Sequence, residues 1–212
     1  MTDSTSTLAV VADWLRRFAG HVADNKNLLT DLDSAIGDAD HGANMNRGMT
    51  AVVALLDQKE FASATDLLRQ AGMALVSNVG GASGPLYGTF FMKAAAPLSD
   101  PGLDAGAFGK ALLAGLNGVI ARGRAELGDK TMVDAMSPAV EAFAAAAGAG
   151  ASPAEAAKAA SEAAAAGREA TIPLVARKGR ASYLGERSAG HIDPGAASTA
   201  FLFASLAEAL EG

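Results

Sequence analysis

Apolar residues recur along this chain at the three- and four-residue spacings of amphipathic helices. Val11, Leu15, Phe18 and Val22 share one face, and Met45, Met49, Val52 and Leu56 repeat the pattern. Phe61 to Val79 reads as a third helix ending at Gly80-Gly81, and a fourth from about Ser83 to Ala96 is stopped by Pro97. Residues 104–122 and 131–147 read as two more, and Thr199, Phe203, Leu206 and Leu210 mark the last. The Ala-rich stretch from Ala142 to Ala166 predicts two helices rather than a linker, because Ala is the strongest helix former. Between them Ser152 suits an N-cap, Pro153 the first helical position and Glu155 the reciprocal contact of a capping box. The expectation is one all-α domain over residues 1–212, built from about eight amphipathic helices.

Composition supports this pattern. Half of the 212 residues are hydrophobic, with Ala the largest share, and only 5% are aromatic. Small side chains suit closely packed helices, and sparse β-branched residues argue against an extensive sheet. The formal net charge of −6 argues against non-specific nucleic-acid binding, which needs a basic face. Without cysteine there is no disulfide, thiolate metal site or catalytic thiol. Residues 1–9 lack the basic and apolar regions of a secretory signal, and no apolar run reaches the ~18 residues of a membrane span. The cytoplasm is the expected location.

Three stretches interrupt the helical text: residues 30–44, 79–84 and 177–195. The first carries Asp33, Asp38 and Asp40, with Gly37 and Gly42 to permit sharp turns and no Lys or Arg between Asn27 and Asn46. Carboxylates gathered within a few ångströms repel one another unless neutralised, and an all-oxygen set selects a hard cation such as Mg²⁺, Ca²⁺ or Mn²⁺. An EF-hand is excluded: counting from Asp38, Ala43 stands where Gly is required and Met49 where Glu is required. Asp31 reads as an ordinary turn or cap residue. His41 and Asn44, three apart, would share a face at a helix start.

The second interruption, VGGASGPLYGTFF at residues 79–91, sets Gly80, Gly81 and Gly84 around Ala82 and Ser83 just before a helix. A helix N-terminus with accessible backbone N–H groups favours anions, although the string is neither a Walker A loop nor a dinucleotide fingerprint. The third gathers Arg177, Lys178, Arg180 and Arg187 among glycines and Tyr183, and ends in the turn Asp193-Pro194-Gly195. So long a loop in a compact fold is usually functional, and its charge suits a lid over a polyanion. Three acids, a Gly-rich helix start and a basic lid together describe a Mg²⁺–nucleotide site.

LTDLDSAIGDADHGANMNRG, VGGASGPLYGTFF, GVIARGRAELGDKTM and ARKGRASYLGERSAGHIDPGA resemble, in order, the nucleotide-binding L subunits of dihydroxyacetone kinases. The resemblance runs from Trp14 to the last helix. It implies a closed barrel of eight antiparallel helices with ADP or ATP and two Mg²⁺ at one end. By it Asp33, Asp38 and Asp40 would ligate the metals and act in catalysis through them. His41, Asn44, Ala82, Ser83, Gly123, Met132, Arg180 and Asp193, Pro194 and Gly195 would line the nucleotide, with residues 177–192 as its cap and Arg180 also catalytic.

The resemblance also implies partners. In the phosphotransferase-system version a K subunit carries dihydroxyacetone, and a phosphohistidine-bearing M subunit rephosphorylates ADP in place. A transcription regulator is a further partner of such subunits. The alternatives are an ATP-dependent kinase for another small ketose, triose or tetrulose, and a regulatory protein that signals nucleotide state. The related domain of bacterial fatty-acid kinases has the same acidic spacing, but His41 and the basic loop set this chain apart.

Overall fold

The structure is a computed structural model that describes residues 6–98 and 104–212. Among the described residues there are nine α-helices and no strand: α1 (Thr7–Asp24), α2 (Lys26–Ile36), α3 (His41–Gln58), α4 (Ala64–Asn78), α5 (Ser83–Ala94), α6 (Ala105–Gly123), α7 (Val133–Gly148), α8 (Pro153–Ala170) and α9 (Pro194–Glu211). Two 3₁₀ segments, Ala96–Leu98 and Arg180–Ser188, complete it. Five helix starts are fixed by the side chain of the N-cap residue. Ser6, Ser63, Asp104 and Asp193 each accept a backbone N–H of the first turn, and Ser152 with Glu155 forms the expected capping box.

Eight helices close a ring in the order α1, α3, α4, α5, α6, α7, α8, α9 and back to α1. The Trp14 indole N–H donates to the Leu202 carbonyl at 2.9 Å across the closing seam. The interior holds Trp14, Phe18, Tyr87, Phe90, Phe91, Phe108, Phe143 and Phe203, all buried. Trp14 and Phe91 meet edge to face with centroids 5.5 Å apart. Elsewhere the helices approach on small residues. A Cβ on Gly72 of α4 would lie 2.7 Å from the Gly88 carbonyl of α5, so these two backbones touch.

Direction around the ring positions the site. Single connections join α3 through α9, so successive helices run antiparallel. Arg16, near the middle of α1, pairs with Asp57 at the end of α3 at 2.7 Å, and Lys26, just beyond α1, lies against Gly42 at the start of α3, so α1 also opposes α3. The starts of α3, α5, α7 and α9 therefore fall at one end, together with all three stretches that lack helical periodicity.

Two expectations are corrected here. Residues 30–44 are not a long irregular stretch, because α2 continues to Ile36 and α3 begins at His41. Leu29, Asp33 and Ile36 face inward from α2, and the acid in that short apolar stripe hides the helical period. Residues 177–195 likewise contain the 3₁₀ segment, kinked at Gly185, whose three-residue turn does not show as a 3.6-residue pattern. Ala181 and Leu184 of that segment pack with Ala176 on Ile36, so it lies down on α2.

Candidate nucleotide and metal site

The link between α2 and α3 is only four residues, and Asp33 organises it. Its Oδ2 accepts the backbone N–H groups of Asp40 (2.8 Å) and His41 (3.1 Å), so an α2 side chain caps α3. The strained residue in the link is Ala39, with φ 62°, rather than either glycine. The glycines supply space instead. A Cβ at Gly37 would lie 2.1 Å from the Asp33 carboxylate, and one at Gly42 would lie 2.1 Å from the Lys26 carbonyl. In consequence oxygens of Asp33, Asp38 and Asp40 all come within 4.8 Å of one another. Among the described residues one cation pairs with them: Arg180 Nε lies 2.9 Å from Asp38 Oδ2, although both side chains are partly exposed and such a pair is worth at most about 1 kcal/mol. Three convergent hard oxygens against a single arginine fit a divalent cation of the Mg²⁺ type.

His41 is buried, and both ring nitrogens are engaged. Nδ1 lies 3.1 Å from Ser83 Oγ and Nε2 lies 2.9 Å from Ser198 Oγ. Ser198 donates to the Gly195 carbonyl at 3.1 Å, and its oxygen also lies 2.7 Å from the Tyr87 hydroxyl. With the Ser198 proton on Gly195, the network is satisfied when His41 Nε2 donates to Ser198 and Nδ1 accepts from Ser83. Burial pushes the His41 pKa down, against the pull of Asp33 and Asp40, so the ring is neutral near pH 7. Burial likewise pushes Tyr87 up and keeps its phenol protonated. His41 is thus a hydrogen-bonding residue rather than a metal ligand.

A cavity of about 380 Å³ opens beside these groups. Asp33, Asp38, Asp40, His41, Ala82, Ser83, Met132, Arg180, Asp193, Pro194 and Gly195 all line it. Residues at the starts of α3, α5, α7 and α9 meet at this cavity, and each such end carries about half a positive charge from its peptide dipoles. An adjoining annex of about 290 Å³ is mainly apolar, walled by Pro85, Leu86, Val119, Gly123, Ala125, Met132 and Val133. The two share Ala82, Leu86, Thr131, Met132, Lys178 and Gly179. Together they make one cleft with an anion-binding end and an apolar end.

Of the residues expected from sequence, Gly123 lines only the annex and Asn44 lines neither space. Asn44 is buried one turn behind His41, its Oδ1 taking a hydrogen bond from Arg47 at 2.8 Å. It packs under Gly80, where a Cβ would approach that oxygen to 2.8 Å. Sequence reasoning missed Leu86, Lys130 and Thr131 as wall residues and the Tyr87–Ser198 pair behind His41. The pair lies within regular helical text, where nothing marks a buried polar contact. Asp193 is buried at the cavity wall, and burial pushes its carboxyl up to about 7, partly offset by the 2.7 Å bond from the Ala196 N–H and by Lys130.

Comparison with known proteins agrees with this geometry. The DAK2 domain family model matches residues 35–208. The chain is 45% identical over 190 residues to the PEP-dependent dihydroxyacetone kinase 1, ADP-binding subunit DhaL, of Listeria innocua, covering 90% of each. It is 46% identical over 198 residues to the Escherichia coli PEP-dependent dihydroxyacetone kinase, ADP-binding subunit DhaL, covering 93% of this chain and 94% of that one. The crystal structure of the C. freundii dihydroxyacetone kinase in complex with AMP-PNP and Mg²⁺ superposes with a TM-score of 0.74 at 28% identity. That match covers 98% of this chain and 36% of the kinase, so the chain spans about a third of it. The chain belongs to the DAK2-domain family, on the branch of the nucleotide-binding L subunits of dihydroxyacetone kinases.

Proposed function

We propose that residues 1–212 act as one unit, the ADP/ATP-binding subunit of a PEP-dependent dihydroxyacetone kinase. The chain would pass the γ-phosphoryl group to dihydroxyacetone held by a partner K subunit, and its ADP would be rephosphorylated in place by a phosphohistidine M subunit. The observation that carries this reading is the two-ended cleft: hard carboxylates and four helix starts at one end, an apolar annex at the other. The named relatives, matched over nine-tenths of their own length, support the PEP-dependent version. The cytoplasm is the proposed location. Among the described residues no helix is long and apolar enough to cross a membrane.

Asp33, Asp38 and Asp40 would hold two Mg²⁺, which would supply positive charge to offset that developing on the transferring phosphoryl group. Ser83 and the backbone N–H groups at the starts of α5 and α9 would orient the phosphates. Neutral His41 holds the Ser83 hydroxyl, and Asn44 supports Gly80 from behind. Ala82, Gly123, Met132 and Leu86 would enclose the base. Arg180, on the cap, would bring a fixed positive charge to the transferring group and exclude water. Asp193, Pro194 and Gly195 would complete the wall and set the angle at which α9 meets the ligand.

The test is dihydroxyacetone phosphate formation with the K and M subunits supplied. Asp38→Asn should lower turnover by about 100-fold or more while leaving the unfolding midpoint within error. Normal turnover in that variant would remove the metal assignment.

A further inference from the structure

Lys130 lines the anion-binding end of the cleft, where a lysine is ordinarily a phosphate ligand. Its surroundings point elsewhere. The residue is 1% exposed and holds a left-handed backbone, φ 61°, at the tip of a loop fixed by Asp134. That carboxylate accepts the N–H groups of Gly128 and Thr131. The Lys130 ammonium donates to the carbonyls of Thr171 and His191, with the Ile172 carbonyl at 3.5 Å. An ammonium has three protons and no other donor, so little is left for a ligand.

These carbonyls belong to opposite ends of the connection between α8 and α9. Thr171 and Ile172 follow directly on α8, and His191 stands two residues before Asp193. Backbone bonds gather the same place. Gly190 N–H donates to the Ile172 carbonyl at 2.7 Å, Asp193 N–H to Thr171 Oγ1 at 3.0 Å, and Arg177 N–H to the Asp129 carbonyl at 3.0 Å. Residues 177–190 therefore leave and rejoin the barrel through a narrow neck with one buried cation at its centre. Asp193 and Asp134 favour the charge on that cation, while burial pulls its pKa below the usual lysine value.

We propose that Lys130 is a positioning residue whose ammonium ties the two ends of the neck, so that the cap holds Arg180 over Asp38 without Lys130 touching the nucleotide. This rests on the reading of residues 177–192 as the nucleotide cap.

The experiment is backbone amide hydrogen exchange on nucleotide-free protein, wild type against Lys130→Met. That variant keeps the length of the side chain and removes its donors. Exchange at Arg177, Gly190 and Asp193 should speed up by about tenfold or more, as expected for loss of hydrogen bonds to a charged donor, while amides of α4 and α5 stay within about twofold. Unchanged neck exchange would overturn the tether. Equal acceleration in α4 and α5 would reduce Lys130 to a general stabiliser and overturn the positioning role. Adding ADP and Mg²⁺ to the wild type tests the cap separately: unchanged exchange across 177–190 would overturn the cap reading even where the tether holds. If the Met variant does not fold, the ammonium proton signals of wild-type Lys130 decide. Slow exchange with solvent before ADP is added supports the tether, and protection that arises only with ADP overturns it.

Discussion

Asp33 does one thing that the other two acids do not. Besides offering an oxygen to the acidic trio, its side chain accepts the first N–H groups of α3, whereas the Asp38 carboxylate pairs with the exposed Arg180. Asp33→Ala should therefore cost about 1–2 kcal/mol of folding stability, as a lost cap does, on top of its effect on activity. Asp38→Ala should stay within about 0.5 kcal/mol. Urea unfolding of both variants checks the contrast, and equal losses would mean that Asp33 does not hold α3. The acids were legible in the sequence because a run of carboxylates without a local base demands a partner. The strain at Ala39 was not, since glycines stand on either side and invite the turn. His41 was readable as a residue of the site, but not its two serine partners, which lie 42 and 157 positions away.

Helices were read best where their caps and periods agreed. The α8 start was legible residue by residue, and Ser152→Ala should cost about 1 kcal/mol, measured as a lowered unfolding midpoint. The missed element was α2, with eleven residues and an acid in its inward stripe; the 3₁₀ segment of the cap was missed because its period is wrong for the search. Packing between helices is invisible in any one of them. Gly72→Ala would drive a methyl into Met92 Cγ at 2.6 Å and the Gly88 carbonyl, at a cost of about 1–3 kcal/mol. The same exchange at Gly20, where no atom lies within 4 Å, should instead stabilise α1 by up to about 1 kcal/mol. Comparing the two melting temperatures tests whether α4 and α5 meet on glycine.

At the scale of the molecule, an antiparallel ring brings four helix starts and the three stretches without helical periodicity to the same end, and this is what turns scattered motifs into one cleft. It also encloses Asp193. A carboxyl with a folded pKa of about 7 binds its proton more tightly folded than unfolded, where it titrates near about 4. Its favourable contribution is complete below about pH 4 and is lost as the pH rises through about 7. For nucleotide-free protein, the stability of wild type relative to Asp193→Asn should thus fall between pH 4 and pH 7. A flat difference in urea midpoints would show that folding does not raise the Asp193 pKa. The account as a whole stands on the nucleotide. The most direct measurement is to denature the protein as purified, without added nucleotide, and resolve the supernatant by anion-exchange chromatography. About one ADP per chain is the expected result for a resident coenzyme held under a tied cap, and a supernatant free of nucleotide would contradict it.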